Sequence, residues 1–255
     1  MKPYITPQKL MANKQLPIKC DIAIICLIPM PKYFEQYEIK NIPKEQLQER
    51  LFVSLHPSHV MYCQYNEISF TVLSEVYGGP VCVSLVEELH YYGIKCIIGL
   101  GFVGSLDNSF QIGTIVEAIS SLAEPGTTPH YDRSQFVNTD QSMTNLFIND
   151  EFAKIVVWTT NAIYREYKED VDLVKNLGCQ VVNMDTSHLF ASCKMLGIMY
   201  GYFATVSDMV LDESESEWEN GLTHSIQDAG SSQKMLIDSI LAKLSIIDEK
   251  IKCCF

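Results

Sequence analysis

The chain has 255 residues, enough to bury one sizeable core, and carries a formal net charge of -12 with a pI near 4.9. A surplus of carboxylates repels phosphate backbones and anionic membrane surfaces, and no basic stripe offsets it, so neither nucleic acid nor a membrane is expected as a partner. Nine cysteines are an odd count scattered through apolar segments such as "AIICLI", which reads as reduced thiols packed as small hydrophobes.

With no apolar run of about 20 residues and no signal-peptide stretch near the start, the expected location is cytoplasmic. After an N-terminal extension over 1–20, one domain is expected over 21–250. Its first strand-length apolar run is "DIAIICLI" from 21, followed by "ISFTVLSEV" from 68. "PVCVSLVEELHYYG" then opens with a proline, carries Val83, Val86 and Leu89 along one side and stops at Gly93, which predicts a helix. "IKCIIGLG" from 94, "GTIVEAIS" from 113 and "KIVVWTT" from 154 read as further strands, with a polar loop or lid over 132–151. A second helix is predicted from Asp185 to Met195, ahead of Gly197, and "YGYFATVS" from 200 is the next strand. A polar stretch over 211–232 reads as loop or lid. Beginning near Ser231 or Ser232, Leu236, Ile237, Ile240, Leu241 and Leu244 mark an amphipathic closing helix. Alternating strands and helices, with strands apolar on both faces, predict an α/β fold whose central mixed β-sheet is flanked by helices.

In such folds ligands bind at the carboxyl ends of strands. Five stretches lie there: "VYGGPV" (76–81), "GLGFVGSL" (99–106), "EPGTTPHY" (124–131), "TTNAIYRE" (159–166), and "NMDTSHLF" (183–190) with "TVSD" (205–208). Glycines such as Gly78, Gly79, Gly101 and Gly104 allow close backbone approach to a ligand and equally serve tight turns. No GxxxxGK, complete GxGxxG, HExxH, paired CxxC or GxSxG pattern is present, so nucleoside triphosphates, dinucleotides, zinc and a hydrolase serine are not indicated. Asp185 has two physically sound roles, as a helix cap or as a ligand for a substrate hydroxyl.

Taken in order, these stretches resemble the nucleoside phosphorylase and uridine phosphorylase superfamily. The similarity runs from about residue 21 to 245. A G-x-P-helix-E-E-L-x-x-x-G block is matched by Gly78 to Gly93, a G-T-x-G strand end by Gly101 to Gly104, and a Met-Glu pair by Met184-Asp185. One branch carries E-G-T-S-x-H-Y and T-T-D-x-x-Y-R-E, close to "EPGTTPHY" and "TTNAIYRE". The resemblance implies that Asp185 binds ribose hydroxyls while Met184 packs on sugar and base, with Asn183 and Tyr77 alongside. It implies that Asp208, next to Ser207, assists the leaving purine at N7, and that Ile163 stands where an aromatic often stacks on the base. Tyr131, Tyr164 and Arg165 are neighbouring candidates.

The match departs at the anion site. The family's first-strand G-D-P-x-x-R turn is "IPMPKYF" here, its arginine before G-T-x-G is Gly99, and the threonine of that motif is Phe102, which cannot hydrogen-bond an oxyanion. By spacing to Tyr65, a neighbouring subunit's arginine corresponds to His56. The phosphate candidates are therefore Gly101, Phe102, Gly104, His56 and Lys32, with His59 and Arg165 as further cations. Hydrolytic members use a glutamate in a G-A-M-x-x-E context, which Glu35 and Glu38 do not reproduce. The implied activity is phosphorolysis of a purine nucleoside to base and ribose 1-phosphate, with inorganic phosphate as co-substrate, no cofactor and no metal, in a homo-oligomer of two, three or six subunits. The alternatives are a non-catalytic nucleoside- or base-binding homologue and a nucleoside hydrolase.

Overall fold

The structure, a computed structural model, describes residues 3–210 and 215–254. Its strands are β1 (Ile22–Cys26), β2 (Val60–Tyr65), β3 (Ile68–Leu73), β4 (Cys96–Ser105), β5 (Ile115–Leu122), β6 (Phe136–Asn138), β7 (Ala153–Thr159), β8 (Val181–Asn183) and β9 (Met199–Met209). The helices are α1 (Pro7–Leu10), α2 (Lys44–Gln48), α3 (Gly79–Tyr91), α4 (Gln141–Leu146), α5 (Lys168–Asn176), α6 (Thr186–Leu196) and α7 (Glu215–Cys254).

All nine strands form one mixed sheet. β1 runs parallel between β3 and β4, and all five of its residues are buried, as a strand covered on both faces requires. β4 pairs with β9 along its whole length, β9 with β5, β5 with β7, β7 with β8, and β8 with the last two residues of β4. Those five strands therefore close on themselves. One face of the sheet packs Leu85 and Leu89 of α3 with Leu189 and Phe190 of α6. The other packs Met143 of α4 with Leu236, Ile237, Ile240, Leu241 and Leu244 of α7, so the apolar stripe read from the sequence is the buried one.

The predicted α/β architecture with a central mixed sheet and flanking helices is the one observed. Three expectations about local structure need correction. The stretch 132–151 is not a bare loop: it holds β6 and α4, whose N-terminus is capped by Asp140 accepting the Ser142 N–H at 2.8 Å. The closing helix starts at Glu215 rather than near Ser231, which also removes the loop expected from there to 232; residues 211–214 lie outside those described. β2 was not expected, and it pairs with β3 through Asn66 and Glu67, both at positive φ as a two-residue hairpin turn demands. Cys20, Cys26, Cys63, Cys82, Cys96, Cys179 and Cys193 are free and buried. Among the described residues, no helix is long and apolar enough to cross a membrane.

Candidate active site

The amino ends of α3 and α6 meet above the carboxyl end of β8. Asn183 supplies the side-chain cap of α6: its Oδ1 accepts the N–H groups of Asp185 at 3.1 Å and Thr186 at 3.2 Å, and its Nδ2 donates to Thr186 Oγ1 at 2.7 Å. Asp185 makes no side-chain cap bond to α6. Its Oδ1 instead accepts the Gly78 N–H at 3.1 Å, across to the start of α3, and its Oδ2 has no partner among the described residues. Burial raises the carboxyl to about 7, only partly opposed by the Gly78 N–H, so the group gains or loses its proton near neutral pH. Met184 beside it is half-buried, and Tyr77 is 48% exposed. The Tyr77 phenol is raised by burial and then by the charges of Glu75 and Asp185.

The Gly78-Gly79 turn needs both glycines. Gly78 has φ +75°, and a Cβ on Gly79 would lie 2.7 Å from the His188 ring and 2.8 Å from Thr127 Oγ1. The Gly79 N–H is held by Asn161 Oδ1 at 3.3 Å, and the same oxygen lies 3.2 Å from His188 Nε2. His188 is fully buried, and burial lowers it to about 4 against a raising contribution from Glu124, so the ring is neutral at pH 7. A backbone N–H can only donate, so the atom facing Gly79 is the amide oxygen and His188 Nε2 carries the hydrogen. His188 Nδ1 then accepts from Thr128 Oγ1 at 3.0 Å, and Thr128 accepts from Ser187 Oγ at 2.8 Å. Ser187 Oγ in turn accepts the Glu124 N–H at 3.2 Å. "EPGTTPHY", "TTNAIYRE" and "NMDTSHLF" are thereby joined in one directed network.

At the end of β9 the register with β4 slips, Val103 opposing Val206 and Gly104 opposing Asp208, so Ser207 is the extra residue of a bulge. The Ser207 hydroxyl donates to Asp208 Oδ1 at 2.6 Å, and burial outweighs that bond to raise the Asp208 carboxyl. Glu166 is raised to about 7, first by burial and second by the negative charge of Asp208. The charge of Asp208 thus acts on Glu166, whose one signal in the sequence is its place as the last residue of "TTNAIYRE". Ile163 and Tyr164 are 54% and 86% exposed on a one-turn 3-10 helix just before it.

The anion candidates are not brought together. Tyr202, fully buried on β9, lays its ring over Gly99 and Gly101: a Cβ on Gly99 would sit 2.6 Å from Tyr202 Cδ2, and one on Gly101 would collide with the Tyr202 hydroxyl. Phe102 points the other way, half-buried against the cluster that α7 completes, so its ring neither closes nor lines the Asp185 side. A Cβ on Gly104 would lie 2.9 Å from Val210 Cγ2, 3.0 Å from Asp208 Oδ2 and 3.2 Å from Val182 Cγ1, so the strand is closely packed there on three sides. His56 is exposed, with Nδ1 2.8 Å from the Ser58 hydroxyl and accepting the Ser58 N–H at 3.2 Å; Lys32 is exposed at the start of another 3-10 turn. His59 lies 3.5 Å from Glu75, and among the described residues no contact ties His56, His59 or Lys32 to Asp185 or Asp208. No group of three or more His, Cys, Asp or Glu among the described residues could hold a metal ion.

The family model for the phosphorylase superfamily matches residues 22–242. An uncharacterized protein of Acanthamoeba polyphaga mimivirus is 44% identical over 252 residues, 95% of this chain and 99% of that protein. A guanosine phosphorylase of Halorubrum lacusprofundi is 25% identical over 154 residues, 58% of this chain and 64% of that enzyme. Among solved structures, uridine phosphorylase from Vibrio fischeri superposes with a TM-score of 0.71 at 16% identity, covering 91% of this chain and 94% of that one. Futalosine hydrolase of Helicobacter pylori gives 0.65 at 16%, covering 86% and 97%. At those identities the likeness is one of fold.

Proposed function

We propose that this chain, which belongs to the phosphorylase superfamily, cleaves the N-glycosidic bond of a purine nucleoside, with inorganic phosphate as the attacking group and without cofactor or metal. The observation that carries the reading is Asp185: a desolvated carboxyl with one oxygen fixed by the Gly78 N–H and the other unpartnered. A ribose hydroxyl donating to Oδ2 would give that oxygen the partner it lacks among the described residues. Asp208, raised by burial, and Glu166, raised to about 7 by burial and by the charge of Asp208, supply the second requirement, acid groups that can place a proton on a departing purine nitrogen. As the bond to the base lengthens, the ribose becomes oxocarbenium-like, and an ionised Asp185 beneath it favours that charge. Similarity to a guanosine phosphorylase supports the purine. A cytoplasmic assembly of two, three or six identical subunits belongs to the same proposal, with the exposed His56 as the side chain one subunit would offer its neighbour.

Hydrolysis is the second reading, favoured by Tyr202 filling the space at Gly99 and Gly101 and by an acid, Glu75, beside Tyr77. A panel of purine and pyrimidine nucleosides scored for free base, with and without phosphate, tests the proposal. Release of purines that requires phosphate is expected. Release of equal size without phosphate replaces phosphorolysis by hydrolysis, and binding without release leaves a nucleoside-binding protein.

A further inference from the structure

Asn161 differs from the other members of the network in that half of its side chain is unused. Its Oδ1 is fully engaged, accepting from the Gly79 N–H at 3.3 Å and from His188 Nε2 at 3.2 Å. These two donors fix which end of the amide is oxygen, so the orientation of Nδ2 is set by the backbone. Nδ2 carries two N–H groups and donates to nothing among the described residues, although Asn161 is exposed. Its position relative to Asp185 follows from adjacent peptide groups: Asn161 Oδ1 binds the Gly79 N–H while Asp185 Oδ1 binds the Gly78 N–H at 3.1 Å. A Cβ on Gly78 would itself stand 3.8 Å from Asn161 Oδ1. The amide that keeps two unbonded donors and the carboxylate that keeps an unbonded oxygen therefore hold the adjacent N–H groups of one two-residue turn.

We infer that Asn161 is a specificity-determining residue: its Nδ2 donates to one hydroxyl of a ribose diol whose other hydroxyl donates to Asp185, so the site selects ribonucleosides over deoxynucleosides. This rests on the nucleoside reading given above. Vicinal hydroxyls suit the pair because each can donate or accept, and one bond in each direction satisfies both protein groups. Losing either hydroxyl would leave a donor or acceptor without its ligand, a discrimination that hydrogen-bonding sites make more sharply than apolar ones.

The test compares a purine ribonucleoside with its 2′-deoxy and 3′-deoxy analogues, by KM for base release or by calorimetric affinity. In the wild type each missing hydroxyl is expected to weaken binding about tenfold. Asn161→Asp keeps an oxygen for Gly79 and His188 while removing the donors. It is expected to abolish the penalty for one hydroxyl and retain the other, with a melting temperature close to wild type. Asn161→Ala should lose the same penalty and also melt earlier, because Gly79 and His188 are then unpartnered. Both penalties at wild-type size in Asn161→Asp, or both erased alike, would overturn the role of Asn161 while leaving nucleoside cleavage standing. A wild type that neither binds nor cleaves any nucleoside would overturn the nucleoside reading itself, and the inference with it.

Discussion

Asp185 Oδ1 accepts the backbone N–H of Gly78 at 3.1 Å, a contact spanning 107 residues that ties the start of α6 to the start of α3. The bond bears on the two roles the sequence allows: Asn183 performs the capping of α6, and Asp185 makes no side-chain cap bond there.

The consequence for stability has a definite sign. Folding raises the Asp185 carboxyl from 3.8 to about 7, so the folded state binds the extra proton and its stability falls as pH rises between those values. Asp185→Asn keeps the shape without the charge and is expected to be more stable than wild type at pH 8, by up to about 4 kcal/mol, with little difference at pH 4. Denaturant unfolding at the two pH values measures it. The same variant should bind purine ribonucleosides more weakly, by about 2 kcal/mol; unchanged affinity would leave Asp185 with a structural role alone.

His188 acts in the opposite direction. Its ring is lowered from 6.5 to about 4, so its contribution is present above pH 6.5 and is lost as pH falls through 4, by about 3 kcal/mol. His188→Gln should lower stability at pH 7 by breaking the network and flatten the acid limb between pH 6.5 and 4. An acid limb as steep as that of wild type would mean that other groups drive the loss.

Glu166 and Asp208 give a kinetic expectation. Because Glu166 is raised to about 7, first by burial and then by the charge of Asp208, base release should decline above about pH 7 as Glu166 loses its proton. Asp208→Asn should lower kcat on purine nucleosides far more than it changes KM, and move the remaining decline to lower pH. A pH profile unchanged in both Asp208→Asn and Glu166→Gln would remove the pair from the reaction.

Much of this site is legible along the chain because its pieces are local signals. Gly78 and Gly79 before a proline-led helix mark the turn, and an acid following an apolar run marks the strand end. Asp208 belongs to a strand end of the same kind. What escapes is the pairing of residues far apart. Nothing near Gly99 shows that Tyr202 will fill its missing side chain, nor that Phe102 will turn toward α7, since strand register fixes both. His188 looks like one polar residue in an apolar helix until Thr128 and Asn161 arrive from other segments. α5 was invisible for another reason: its polar sequence buries Val174 and little else to mark a face.

The Tyr202 packing is itself testable. Gly101→Ala should destabilise by about 1–3 kcal/mol through collision with the Tyr202 hydroxyl. Most of that cost should vanish in a Tyr202→Phe background, a coupling that a double-mutant cycle of unfolding free energies reads directly. Additive effects would place the tyrosine hydroxyl elsewhere.

The most direct test of nucleoside phosphorolysis is the identity of the sugar product from a purine ribonucleoside at increasing phosphate concentration. Ribose 1-phosphate in equal amount to the free base, rising with phosphate and reversed when both products are supplied, is the expected result. Free ribose at a rate independent of phosphate would contradict it, and would assign the attacking group to water.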